Sequence, residues 1–182
     1  MLRLTIKSAE YWDERKNEFF TIEGQTLELE HSLYSISLWE MKYQRPFFDK
    51  GPRTLVELQD YVRFMTLTKD VNPLLFRALT KDNIKDVENY MQNPMSATTI
   101  HDKPSSKGRR NGELVTSELI YYWMAACQIP FTCEMWNIHR LMNLIRIYNI
   151  KNDTNNVKPK GAALRDQAAL NRARRAALNS KG

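Results

Sequence analysis

Hydrophobic positions along the 182-residue chain change their period near residue 32. Leu2, Leu4 and Ile6 alternate with polar residues, which predicts a short half-buried strand. The stretch "FFTIEGQTLELE" predicts two more short strands turning at Glu23-Gly24, with Leu27 and Leu29 on one side. Glu28 and Glu30 then fall on the alternate positions, where charges on a short strand ordinarily face solvent. After Ser32 the spacing becomes helical: Leu33, Ile36 and Trp39 to Met41 recur until Pro46, which cannot continue the ladder and restricts Arg45 before it.

Thr54 and Glu57 form a T-x-x-E capping box ahead of Leu55, Leu58, Tyr61, Val62 and Met65, predicting a second helix to about Thr68. A short helical turn is expected after Pro73. Thr80 then caps a helix burying Ile84, Val87, Tyr90 and Met91, which stops near Asn93-Pro94. Residues 96–113, "SATTIHDKPSSKGRRNGE", lack apolar periodicity and read as a mobile surface loop. Thr116 or Ser117 opens a helix carrying Leu119, Ile120, Tyr122, Trp123 and Met124. Pro130 separates it from a last long helix starting near Thr132, and the two are expected to pack as an αα-hairpin.

In that last helix Ile138, Leu141, Met142, Ile145 and Tyr148 form one stripe. Trp136, Leu144 and Ile147 widen it until only Asn137, Arg140, Asn143 and Arg146 look solvated, a pattern that predicts central burial. The expected fold is therefore mainly helical within the α+β class. It has a small β element (1–30), a multi-helix bundle (31–150) interrupted by the 96–113 loop, and a basic alanine-rich helical arm (151–182). Residues 1–150 are read as one globular domain. No fixed-period repeat is present.

Charge sharpens this division. The net charge of +6 lies entirely in residues 151–182, where eight Lys/Arg face only Asp153 and Asp166, whereas residues 1–150 carry 19 basic and 19 acidic groups. The body is neutral and the tail basic. No window approaches the length of apolar chain that a membrane span needs, and the first twenty residues lack the apolar segment of a signal peptide. Two cysteines are too few for a disulfide framework. An intracellular, cytoplasmic protein is expected.

The segment "YYWMAACQIPFTCEMWNIHRLMNLIRIYNI" holds Cys127, Cys133 and His139. Zinc would want four ligands, and no second C-x-x-C or H-x-x-x-H accompanies these three. Nearly two helical turns separate Cys133 from His139, which points them to different faces and disfavours a nucleophile pair. A packed core is the better reading. There is no phosphate-cradling Gly-rich loop, G-x-S-x-G elbow or H-E-x-x-H. No catalytic residue, metal ligand or cofactor is therefore assigned, and the chain is read as non-enzymatic.

The basic tail supports three readings: a segment that folds on a protein partner, a nucleic-acid arm, or a solubilising end. It has the electrostatics to gather phosphates but no aromatics for base stacking. The partner reading is preferred because leucines alternate with small alanines and arginines, and it assigns Arg165, Leu170, Arg172, Arg174, Arg175 and Leu178 as partner-binding residues. Lys103, Lys107, Arg109 and Arg110 of the loop could extend the same basic surface, although a solvated loop is the simpler reading.

Three stretches, "TLELEHSLYSISLWEMKYQRPF" (26–47), "MTLTKDVNPLLFRALT" (65–80) and "SELIYYWMAACQIPFTCEMWNIHRLMNLIRIYNIK" (117–151), resemble the tail assembly chaperones of siphophage-type tailed bacteriophages. The ending "LNRARRAALNSKG" resembles that group's short basic terminus. The resemblance implies a non-enzymatic, mostly helical protein that accompanies the tape measure protein and helps recruit tail tube subunits, with several copies on one client. It also implies residence in the host cytoplasm during assembly and absence from the mature virion. Short chaperones of this class are often acidic, and the basic tail here departs from that pattern. The eight methionines suggest grooves lined by Met and aromatic residues that cover a client's apolar seam. The alternatives are a structural virion protein, such as a connector or tail completion component, and a nucleic-acid-binding protein using the basic tail.

Overall fold

The computed structural model describes residues 1–13, 17–98 and 114–152. The chain falls into two compact units, 1–145 and 146–182, and all that follows on packing concerns the first. The fold is mixed α+β. Residues 99–113 of the expected 96–113 loop and 153–182 of the expected 151–182 helical arm lie outside the described residues.

Four strands open the chain: β1 (Leu2–Ile6), β2 (Ala9–Asp13), β3 (Glu18–Ile22) and β4 (Gln25–Leu29). β1 pairs antiparallel with β4 from Leu2↔Leu29 to Ile6↔Gln25, and β2 with β3 from Ala9↔Ile22 to Asp13↔Glu18. Both ladders keep one register, so they are two halves of a single ribbon interrupted at Lys7-Ser8 and Glu23-Gly24. β3 and β4 both exist as expected but do not pair with each other. Their partner strands sit upstream, and β2 escaped the pattern because "AEYWD" mixes charges with its aromatics.

Gly24 explains the interruption. A Cβ there would lie 2.6 Å from both Ile6 O and Ser8 N, backbone atoms that cannot step aside, so the crossing requires a residue without a side chain. Leu27 and Leu29 are buried on one side of the break, Ile22 and half-buried Phe20 on the other. Neighbouring strand residues alternate faces, so this switch from odd to even positions means that the ribbon turns its opposite face to the core past Gly24.

Five α-helices follow among the described residues. α1 (Leu33–Tyr43) starts at a Ser32/Ser35 capping box and ends where Gln44 enters the left-handed region at φ 51°, just before Pro46. α2 (Leu55–Met65) uses the Thr54/Glu57 box read from the sequence, ending three residues earlier than expected. A 3-10 turn at Pro73–Ala78 leads to α3 (Lys81–Gln92), capped by Thr80. α4 (Ser117–Ala126) is capped by Thr116. After α2 the chain returns to β4: Glu30 N donates to Met65 O at 2.9 Å and Leu67 N to Glu28 O at 2.8 Å, which shields the end of that strand's outer edge.

The C-terminal helices differ from expectation. Residues Phe131–Met135 form a 3-10 turn, Trp136 is extended, and α5 runs Ile138–Asn152 rather than from Thr132. Asn137 is the reason: its side-chain oxygen accepts from His139 N at 3.0 Å, an N-cap that restarts the helix. α4 packs on α1 and on the 3-10 turn, and no αα-hairpin with α5 forms. Nor is α5 central. Within the first unit Ile138, Leu141 and Ile145 are buried, but Trp136 is exposed, while Asn137, expected to be wet, is buried.

Trp39 is the hub of the core. It lies fully buried on α1, edge-on to Phe47 at 5.3 Å between centroids, and its indole N–H donates to Glu57 O at 3.3 Å. The guanidinium groups of Arg45 and Arg53 stand over its ring at 5.2 and 5.5 Å, and Arg45 pairs with Glu57 at 3.1 Å. Cys127 and Cys133 sit in this core as reduced thiols, in keeping with the packing reading of the sequence.

Candidate functional site

The end of β4 carries the feature that alternation misplaced. Glu28 is on the solvent face, where it pairs with Arg3 at 3.3 Å, but Glu30 is only 8% exposed. β4 ends at Leu29, so Glu30 is released from the strand's two-residue period and turns inward. Its Oε1 accepts from Tyr90 OH at 2.7 Å, from Asn137 Nδ2 at 3.1 Å and from His31 N at 3.1 Å, while the Met1 amine lies 3.0 Å from Oε2. One carboxylate thereby ties β4 to α3, to the start of α5 and to the first residue of β1's side of the ribbon.

Burial alone would raise the Glu30 pKa, but the hydrogen bonds from Tyr90 and Asn137 and the nearby amine outweigh it and hold the carboxyl below its ordinary range. Tyr90, buried and donating to that carboxylate, has its own pKa pushed up. With three donors on one oxygen and an amine at the other, Glu30 is a structural anion. Its lone pairs are engaged, which leaves it poorly suited to act as a general base.

His31 continues the network inward. Its Nδ1 hydrogen-bonds the Tyr61 hydroxyl, Tyr61 OH lies 3.4 Å from Ser35 Oγ, and the imidazole stands edge-on to His139 at 5.8 Å between centroids. The His139 ring meets Met91 O at 2.7 Å. Burial first, and then the charges of His139 and Arg53, push the His31 pKa down to about 3 against the opposing pull of Glu30. A histidine that is neutral when folded and titrates near 6.5 when unfolded binds its proton preferentially in the unfolded chain. Stability from this group is therefore complete above about pH 6.5 and falls toward pH 3 by up to about 1.4 kcal/mol per unit. Urea denaturation at pH 7 and pH 5 should show wild type losing about 2 kcal/mol on that account, and His31→Gln losing much less over the same interval.

Over this network lies a groove of about 410 Å³ lined by Met1, Leu67, Met95, Met135 and Trp136, with Tyr90, Glu30 and Asn137 at its base and Arg140 at its rim. Leu67, Met135 and Trp136 are each about two-fifths exposed. Arg140 stands 5.4 Å over the Trp136 ring. The walls come from four separate chain segments, and the hydrogen bonds of Glu30 hold two of them, α3 and the α5 N-terminus, in place. Such a surface can take an apolar side chain from a partner among thioethers and an indole, with a guanidinium beside it for a carboxylate.

No protein-family model, curated protein or solved structure matches the chain.

The residues assigned from the tail, Arg165, Leu170, Arg172, Arg174, Arg175 and Leu178, lie outside the described residues, as do Lys103, Lys107, Arg109 and Arg110 of the loop. Cys127, Cys133 and His139 are not brought together: the thiols are in the core, and His139 faces Met91 and His31. Sequence reading missed Glu30, His31 and Asn137, and it expected grooves lined by Met and aromatic residues without saying which residues form them. One signal was available: Asn137 directly before the apolar Ile138 is an N-cap pattern, and it marks where α5 begins. The convergence of Met1, Met95 and Met135 had no such signal, because it depends on how distant segments pack.

Proposed function

We propose that the protein is a non-catalytic assembly chaperone that holds an apolar helical client, of the phage tail assembly kind it resembles. Its client is then the tape measure protein, and tail tube subunits are recruited around the complex in the host cytoplasm. The observation that supports this reading is the groove beside Glu30. Unbranched methionines repack around knobs of different shape, which suits a surface that must meet many similar turns of a long helix rather than one fixed epitope. Trp136 offers a rigid anchor and Arg140 a polar contact at the rim, the combination that concentrates binding energy in partner interfaces. The tail residues Arg165, Leu170, Arg172, Arg174, Arg175 and Leu178 supply a second contact in this proposal.

The test is co-expression with the tape measure protein and quantitative co-purification. Met135→Ser and Trp136→Ser should each reduce the retained client roughly tenfold while leaving the melting temperature within a few degrees of wild type. Client retained at wild-type levels by both variants would count against the groove. Finding the protein at fixed stoichiometry in purified particles would favour the structural virion reading instead.

A further inference from the structure

A second groove and an exposed aromatic pair stand elsewhere on the same unit, and they complement each other. The groove, about 560 Å³, runs between α2 and the Pro73–Ala78 turn. Val56, Gln59, Asp60 and Arg63 follow the helical repeat along its α2 wall, Leu74 and Phe76 form the opposite wall, and Lys42 and Arg77 stand at the rim. Lys42 pairs with Asp60, which also accepts from Tyr43 OH. Arg63 and Arg77 are exposed and have no ion-pair partner among the described residues. Lys42, Arg63 and Arg77 against Asp60 give the groove a net charge of +2 around an apolar floor.

The far half of the ribbon has the opposite character. Trp12 and Phe19 are directly opposed in the β2–β3 ladder, with ring centroids 4.8 Å apart, and are 47% and 71% exposed. Glu10 shares their face and is exposed. Glu18 falls on the other face of the ladder, so Glu10 is the acid beside the two rings among the described residues. A ribbon of two strands has little core of its own, so an aromatic pair this exposed gains much by being covered. No ribbon residue lines the α2 groove, so the tip of a chain does not fill that chain's own groove.

We infer that the chain binds a second copy of itself by seating the Trp12/Phe19 tip of one copy in the groove of α2 and the Pro73–Ala78 turn of the next. The two rings enter between Val56, Leu74 and Phe76, and the carboxylate of Glu10, on the same face of the ribbon, meets Arg63 and Arg77. The contact joins two different surfaces, so a pair of copies keeps one vacant groove and one vacant tip. Head-to-tail contacts of this type build rings or open chains rather than closed dimers. The interface requires no client and is independent of the Met-lined groove.

The test is analytical ultracentrifugation of the full, nuclease-treated chain over a concentration series, at low and moderate salt. Wild type should associate beyond the dimer with a Kd on the order of 10–100 µM, as suits a small contact, and salt should weaken it. Trp12→Ser with Phe19→Ser, or Arg63→Glu with Arg77→Glu, should each weaken association at least tenfold. Circular dichroism should show both variants folded. Mixing the two variants is the decisive arm: one retains a groove and the other a tip, so the mixture should form one-to-one dimers and stop there. A wild type that stays monomeric throughout would overturn the inference. So would association untouched by either pair of substitutions, or a mixture that yields no dimer.

Discussion

Trp39→Ala should destabilise the protein by about 3–5 kcal/mol, the usual cost of emptying a fully buried aromatic site. Trp39 is 0% exposed and packs against Phe47, Tyr43 and the guanidinium groups of two arginines. Alanine leaves a cavity, strips both guanidinium groups of the ring they stand over, and removes the donor to Glu57 O. Arg53 is sensitive to this loss because its Nε is buried without a hydrogen-bond partner, and the Trp39 and Phe47 rings are its neighbours instead. A domain with about 5–15 kcal/mol to lose would be left marginal. The melting temperature should fall by roughly 10 °C or more. Trp39→Phe keeps most of the buried ring and should cost clearly less. A Trp39→Ala loss under about 1 kcal/mol would mean that the hub is elsewhere.

The second large effect is at Glu30. Glu30→Leu preserves some bulk but leaves Tyr90 OH, Asn137 Nδ2 and His31 N facing an apolar side chain, and all three residues are less than a tenth exposed. Each unpaired buried donor costs about 1–3 kcal/mol, so a total near 3–5 kcal/mol is expected after partial relaxation. The more specific expectation is non-additivity. Tyr90→Phe removes one of the donors, so its effect should shrink when Glu30 is already leucine, giving a coupling of about 1–2 kcal/mol in a double-mutant cycle. Additive losses in urea denaturation would show that Tyr90 and Glu30 do not act through their hydrogen bond.

These two residues also mark what could and could not be read in advance. Trp39 lies in a run of helical spacing that places it on the inner face of α1, and the Thr54/Glu57 box fixes the start of α2 by purely local chemistry. Caps and periodicity act over three or four residues, which is why α1 to α4 were legible to within a few positions. Glu30 belongs to the other kind. On alternation it is a solvent-facing charge, and its burial follows from where β4 stops and from which residues of α3 and α5 arrive beside it. The flip of the ribbon at Gly24 is equally non-local, since it depends on the close approach of Lys7 and Ser8 across the ladder. α5 was misplaced for a subtler reason: Phe131 to Met135 is apolar enough to look like its first turn, and only the cap at Asn137 shows otherwise.

The candidate site combines both kinds of residue. Methionine abundance pointed to an adaptable apolar surface, but which methionines form it is settled by the tertiary arrangement around Glu30. Its rigidity and its adaptability come from different parts: the hydrogen-bonded base fixes the frame, while thioether side chains above it remain free to repack.

The central claim is that this chain holds a long helical client, and affinity purification from infected cells with nuclease treatment tests it most directly. Full-length protein and its Trp136→Ser variant would be compared by quantitative mass spectrometry. The account predicts that the tape measure protein is recovered with the wild type despite nuclease and is depleted with the variant. Recovery that depends on nucleic acid, or that brings only particle components and no tape measure protein, would contradict it.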